Sequence, residues 1–151
     1  MKKITIREMQ ISDLTKVCKI EKENFSLPWS EKSFCESMKR DDTVFLVAVD
    51  QNNGEVAGYI GCYCIAGIGE ITNVAVQADY RRNGIGGMLL DTLEAAGRAL
   101  DTAEFFLEVR ESNEAAISLY SSKGFVKEGI RKNFYEMPTE HAVIMWKHSV
   151  D

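Results

Sequence analysis

Asp79-Tyr80-Arg81-Arg82-Asn83-Gly84-Ile85-Gly86-Gly87-Met88-Leu89-Leu90 marks the place where the hydrophobic period of the chain changes. Before it, residues 70–76 read as a strand. After it, Met88, Leu89, Thr92, Leu93, Ala96 and Leu100 recur at helical spacing and predict a helix from about Gly86. Three glycines in four positions at such a junction let consecutive backbone N–H groups turn toward one point, where the helix dipole also favours negative charge. That is a phosphate cradle, and Arg81 and Arg82 beside it supply neutralising charge. On glycine content alone, a flexible loop with two solvated arginines reads the same way. Two common phosphate motifs do not fit: the dinucleotide pattern needs a third glycine where Leu89 stands, and a P-loop needs Gly-Lys-Ser or Gly-Lys-Thr.

Toward the N-terminus, Ile4 and Ile6 alternate with polar neighbours as in a short strand. Ser12 is placed to cap a helix lasting to about Asn24, with Leu14, Val17, Cys18 and Ile20 as its apolar stripe. Pro28 breaks the chain, and Ser30 starts a second short helix with Phe34 and Met38 inward. Residues 43–49 and 55–65 form two strands around the hairpin signal Asn53-Gly54, with Gly58 and Gly61 marking bulges or close packing. Gly67-Ile68-Gly69 reads as the turn into residues 70–76. Beyond the glycine stretch follow a strand at 104–109, a helix at 113–123 stopped by Gly124, and closing strands at 125–130 and 142–147. Hairpins first and alternating strands and helices later predict an α/β fold. Its mixed, mostly antiparallel sheet has about six to seven strands flanked by about four helices.

No repeat or linker breaks the 151 residues, which are read as one domain covering 1–151. Composition is 45% hydrophobic and 27% charged, excluding disorder and collagen-like repeats. The net charge of −5 makes the chain a poor non-specific binder of nucleic acid or anionic membrane and a better host for a cationic partner. The start, Met1-Lys2-Lys3-Ile4, precedes no apolar run and reads as neither a signal nor a transit peptide. No segment approaches the roughly 18 apolar residues of a membrane span. Cys18, Cys35, Cys62 and Cys64 lack the partners of a zinc site, so no metal is expected, and they read as reduced core thiols of a cytosolic protein.

Arg81-Arg82-Asn83-Gly84-Ile85-Gly86 resembles the Gln/Arg-x-x-Gly-x-Gly/Ala signature of the GCN5-related N-acetyltransferases (GNAT), lying after the matching strand and before the matching helix. The segment from Leu107-Glu108-Val109-Arg110-Glu111-Ser112-Asn113 to Tyr120, ending in Gly124-Phe125, is similar to the ribosomal-protein-alanine branch of that family, the RimI type. Pro28-Trp29-Ser30, residues 129–135 and Ala142-Val143-Ile144-Met145 add to the likeness, which spans essentially the whole chain. It implies acetyl-CoA as cosubstrate, with its pyrophosphate on Arg81, Arg82, Asn83, Gly84, Ile85, Gly86 and Gly87. It also implies its pantetheine on the backbone of Val74, Ala75 and Val76, and a further contact from Asn113, which locally reads as a helix cap. A backbone N–H there, that of Val76, is the expected oxyanion donor.

Acetyl transfer to an amine needs a base for an amine whose reference pKa is about 7.7–8.0, and a proton for the leaving thiolate. Glu108 interrupts the apolar run Phe105-Phe106-Leu107-Glu108-Val109, where partial desolvation would raise a carboxyl. A glutamate on a wet strand face is the plainer reading. The resemblance implies that Glu108 is the proton acceptor and Tyr120 the donor, although Tyr120 stands three after Ile117 on a core-facing stripe. Trp29, Phe134 and Tyr135 are expected walls of an acceptor groove, with packing the alternative for Trp29. The implied acceptor is the basic N-terminus of small-subunit ribosomal protein eighteen, which begins with alanine; other protein N-termini, lysines or a small amine keep the fold and change the acceptor. A coenzyme-binding module without turnover would lack the Glu108 and Tyr120 pair. His141 stands where relatives carry an acidic residue.

Overall fold

The computed structural model describes residues 3–148, so the Met1-Lys2 start lies outside the described residues. Among the described residues seven strands form one sheet: β1 (Ile4–Glu8), β2 (Thr43–Asp50), β3 (Glu55–Ile65), β4 (Ile68–Val76), β5 (Glu104–Arg110), β6 (Val126–Tyr135) and β7 (Glu140–Lys147). Their order is β1-β2-β3-β4-β5-β7-β6, and only β4 and β5 run parallel. The helix between those two, α3 (Ile85–Arg98), makes the crossover that a parallel pair requires. The other helices are α1 (Leu14–Asn24), α2 (Glu31–Met38) and α4 (Glu114–Ser122).

Two apolar layers cover the sheet. Leu89, Leu90 and Leu93 of α3 and Tyr120 of α4 pack with Ile60, Phe105 and Leu107 on one face. Leu14, Val17 and Ile20 of α1 and Phe34 of α2 pack with Val47 and Tyr59 on the other. Among the described residues no helix is long and apolar enough to cross a membrane, and no group of side chains could hold a metal ion. All four cysteines are free; Cys18, Cys62 and Cys64 are buried and Cys35 is half-buried.

Several expected boundaries move, each for a local reason. Ser12 does not cap α1. Asp13 accepts the Gln10 N–H at 2.8 Å and takes a forked pair of bonds from Arg7 at 2.8 and 2.9 Å, which winds residues 11–13 into a 3-10 turn first. Ser30 does cap α2, accepting from the Ser33 N–H at 3.1 Å. Gly69 belongs to β4 and not to the turn, because a Cβ there would strike the Phe105 ring at 2.5 Å. Of the expected stripe, Leu89 and Leu93 face in while Met88, and Leu100 beyond the end of α3, are exposed; Ile85 and Leu90, outside that stripe, also face in. β6 runs five residues past Ile130, since Arg131-Lys132-Asn133 carries no apolar alternation to reveal an irregular strand.

Candidate active site

β4 and β5 pair only from Ile68 opposite Glu104 to Ile71 opposite Leu107. From Glu108 onward β5 keeps its bonds to β7, and from Asn73 onward β4 keeps its bonds to β3, so the two strands part. A bulge at the same point sharpens the break: Gly61 faces Asn73 while Cys62 faces Ile71, leaving Thr72 unmatched. Ile71 therefore packs in the α3/α4 layer and Ala75, four residues on, in the α1/α2 layer, where a regular strand would keep both on one face. The gap opens into a cavity of about 1070 Å³ whose walls come from both layers.

On the α3 side the cavity is floored by the helix N-terminus. Gly84 adopts φ +73° at the start of α3, a conformation that glycine takes without penalty, and no side chain caps the helix there. The first N–H groups, which have no intrahelical partner, stand beside the cavity wall formed by Gly84, Ile85, Gly86 and Gly87. Gly86 and Gly87 also let α4 approach, since a Cβ at Gly86 would meet Leu119 of that helix at 2.7 Å and one at Gly87 would meet Lys123, just after its end, at 2.9 Å. Arg82 lines the cavity and is exposed; Arg81 lines it too, donating to Asn24 Oδ1 at 2.7 Å and Val76 O at 3.3 Å. Asn83 is not part of the wall; its amide donates to the Tyr80 and Arg81 carbonyls at 2.9 and 3.0 Å and holds the loop shape from behind. Because the Gln77 N–H donates to Ala57 O on the β3 side, strand alternation turns the backbone N–H and C=O of Val74 and Val76 toward the gap.

On the opposite side Glu108, whose side chain is 13% exposed, lines the cavity and pairs through Oε2 with Arg131 Nη1 at 2.8 Å. Its Oε1 has no hydrogen-bond partner among the described residues. Tyr120 is both a core residue and a cavity-lining one. Its ring is buried in the core against Phe125, and its hydroxyl, bonded to no described residue, belongs to a cavity-lining side chain. Burial, and then the neighbouring Tyr135, pushes the Tyr120 phenol well above its usual range. Tyr135 is pushed up to about 12 by burial and by the Glu108 charge. Asn113 caps α4, accepting from the Ala116 N–H at 3.2 Å, and lines the cavity as well. Trp29 lines it with its ring packed on Phe34 at 5.2 Å, and Phe134 lies under the Arg131 guanidinium at 4.5 Å.

Three wall residues carry no signal that singles them out in the sequence motifs. Arg110 donates to Ser26 Oγ, to the Glu136 and Pro138 carbonyls and to Glu140, tying the loop after α1 to the β6–β7 hairpin. Glu21 is 2% exposed and accepts from the Tyr59 hydroxyl at 2.6 Å, the Trp29 N–H at 2.9 Å and the Asn73 amide at 3.5 Å. Asn73 is the third. For Glu21, helix periodicity offers one clue, a charged residue directly after Ile20 on the buried stripe of α1. His141 accepts the Asn133 N–H at 3.0 Å and orders the bulged end of β6, while Glu140 beside it takes the Ser112 N–H at 2.6 Å. That bond and Arg110 hold the Glu140 carboxyl below the usual carboxylate range.

The profile of the Acetyltransferase (GNAT) family matches residues 9–125. The ribosomal protein bS18-alanine N-acetyltransferase of Escherichia coli is 36% identical over 145 residues, covering 93% of this chain and 95% of that protein. An N-alpha-acetyltransferase of Sulfurisphaera tokodaii is 31% identical over 147 residues, covering 89% of this chain and 87% of its own. The crystal structure of the Escherichia coli ribosomal-protein-S18-alanine N-acetyltransferase superposes with a TM-score of 0.87 at 32% identity, over 99% of this chain and 96% of that one. The family profile, the relatives and the shared fold agree, and the chain belongs to the GNAT acetyltransferase family.

Proposed function

We propose that this protein transfers acetyl from acetyl-CoA to the N-terminal alanine of ribosomal protein bS18, in the cytoplasm, by direct attack in a ternary complex. The observation that carries it is the placement of Glu108 and Tyr120 on the walls of one cavity that also reaches the bare N-terminus of α3. The likeness to the bS18-alanine enzyme over nearly the full chain supports the acceptor. The acidic balance of the chain suits a basic protein tail.

In this reading the N–H groups of residues 84–87, with Arg82 and Arg81, hold the pyrophosphate, and Val74 and Val76 pair with the pantetheine amides as an added strand would. Asn113 contacts the coenzyme from α4. Glu108 takes a proton from the amine as its nitrogen bonds to the thioester carbonyl carbon. The Val76 N–H meets the charge that gathers on the carbonyl oxygen. Tyr120, kept protonated by burial, gives its proton to the thiolate as the carbon–sulfur bond breaks. The products are an N-acetylated chain and free coenzyme A thiol, and solvent returns a proton to Tyr120 as Glu108 loses one. None of Cys18, Cys35, Cys62 and Cys64 lines the cavity, which supports direct attack over a cysteine-borne acetyl. Trp29, Phe134 and Tyr135 wall the acceptor side.

Mass spectrometry of N-terminal peptides incubated with the enzyme and acetyl-CoA tests this. Alanine-initiated basic peptides are expected to be preferred; no preference for them removes the bS18 reading and leaves the family. The likeness to the Sulfurisphaera tokodaii N-alpha-acetyltransferase favours other protein N-termini as the second reading.

A further inference from the structure

Asn73 is 4% exposed, lines the cavity where β4 and β5 part, and has one polar atom, Oδ1, that is buried without any hydrogen-bond partner. A buried carbonyl oxygen keeps its full desolvation cost unless something donates to it. Its orientation is settled by chemistry. The Glu21 carboxylate already receives the Tyr59 hydroxyl and the Trp29 N–H and can only accept, so the Asn73 NH₂ must face Glu21, at 3.5 Å to each oxygen. Oδ1 is thereby left for a donor that the described residues do not supply. The bulge at Thr72 brings this about: it turns Asn73 to the α1 face. Phe105, Leu107 and Val109 face the α3/α4 layer, so Glu108 between them also faces the α1 side, from the other lip of the gap.

We infer that Asn73 Oδ1 accepts one N–H of the attacking primary amine while Glu108 Oε1 accepts the other, which leaves the nitrogen lone pair for the thioester carbonyl. The inference rests on the amine-acetylating reading above. Glu108 takes the proton that leaves; Asn73 takes none, and its hydrogen bond persists to the single N–H of the product amide. Asn73 is then a positioning residue selecting primary over secondary amines, because an N-methylated or prolyl N-terminus has no second N–H and leaves Oδ1 buried and unpaired. Glu21 acts through Asn73 by fixing which end of its amide meets the substrate.

The test compares a peptide starting with alanine and the same peptide starting with N-methylalanine, on wild type and on Asn73→Ala. The variant is expected to lose roughly 10- to 100-fold in kcat/KM on the alanine peptide, the fold-change that an orphaned or lost hydrogen bond implies. On the N-methyl peptide the loss should stay within about threefold, so the ratio between the peptides narrows while acetyl-CoA affinity is unchanged. Asn73→Ser, which keeps a donor for Glu21, should narrow the ratio in the same way and covers the case in which the alanine variant does not fold. An equal loss on both peptides, or none, overturns the inference and leaves the functional reading standing. Wild type that acetylates no amine overturns both.

Discussion

Arg131 Nη1 stands 2.8 Å from Glu108 Oε2, and the same guanidinium rests on the Phe134 ring, so one β6 residue both orients the Glu108 carboxylate and packs on a wall of the cavity. Glu108 reaches the cavity with one oxygen engaged and the other free of described partners. Arg131 is more than half exposed.

Glu108→Gln is expected to slow acetyl transfer by roughly 10²–10⁴, the span of a lost general base, with acetyl-CoA affinity intact. Arg131→Gln should slow it less, and the double variant no more than Glu108→Gln alone, because the arginine acts through that carboxylate. Single-turnover rates at neutral pH check this; additive losses would separate the two residues.

Coenzyme binding is best probed at Gly84. No atom lies within 4 Å of a Cβ built there, and Asp is among the residues that tolerate its left-handed conformation. Gly84→Asp is expected to fold and yet weaken acetyl-CoA by about tenfold or more, since its carboxylate occupies the helix N-terminus proposed to take the pyrophosphate. Gly86→Asp drives a side chain into Leu119 and confounds binding with packing. Calorimetric titration beside a melting curve distinguishes them, and undiminished affinity in Gly84→Asp means the pyrophosphate binds elsewhere.

Tyr120→Phe removes a hydroxyl bonded to no described residue, so Tm should hold while kcat falls by roughly 10²-fold. Burial disfavours the phenolate and moves this phenol upward, so the proposed proton donor stays loaded at pH values where an ordinary tyrosine, near pKa 10, has begun to ionise. The alkaline limb of the kcat profile should therefore show no tyrosine-dependent decline up to about pH 10. A decline near pH 9 present in wild type and absent in Tyr120→Phe would falsify this.

At the Asp13 carboxyl, burial alone would raise the pKa, but the forked bond from Arg7 and the Gln10 N–H outweigh it and hold it below the usual carboxylate value. A folded value below the unfolded one, about 3.9, means the contribution is complete above that pH and disappears as pH falls through the folded value. Arg7→Met removes the larger part of the lowering and leaves the burial and the Gln10 N–H, so acid unfolding followed by circular dichroism should begin at higher pH in the variant. Coincident acid transitions would show that the pair contributes nothing.

The boundaries legible in the sequence are those set by neighbouring residues. Ser30 and Asn113 cap α2 and α4 because a short polar side chain can satisfy a backbone N–H two or three residues on. Gly124 stops α4 at φ +95°, and the Asn53-Gly54 hairpin joins β2 to β3 where the turn chemistry requires. Gly69 falls on the wrong side of its boundary for the converse reason: what excludes a side chain there is a phenylalanine on another strand, and no local pattern records that contact.

For the candidate site the same division holds. The strand-to-helix junction with its glycines and arginines, and the residue types of Glu108 and Tyr120, can be read along the chain because they lie within a few positions of one another or within one motif. Three relationships exist only in the folded molecule: β4 and β5 part after Ile71, the bulge at Thr72 turns Asn73 toward Glu21, and Arg131 meets Glu108. Each joins residues 23 or more positions apart, or depends on register between strands. Register is a property of the paired sheet, in which one unmatched residue exchanges the faces of all that follow.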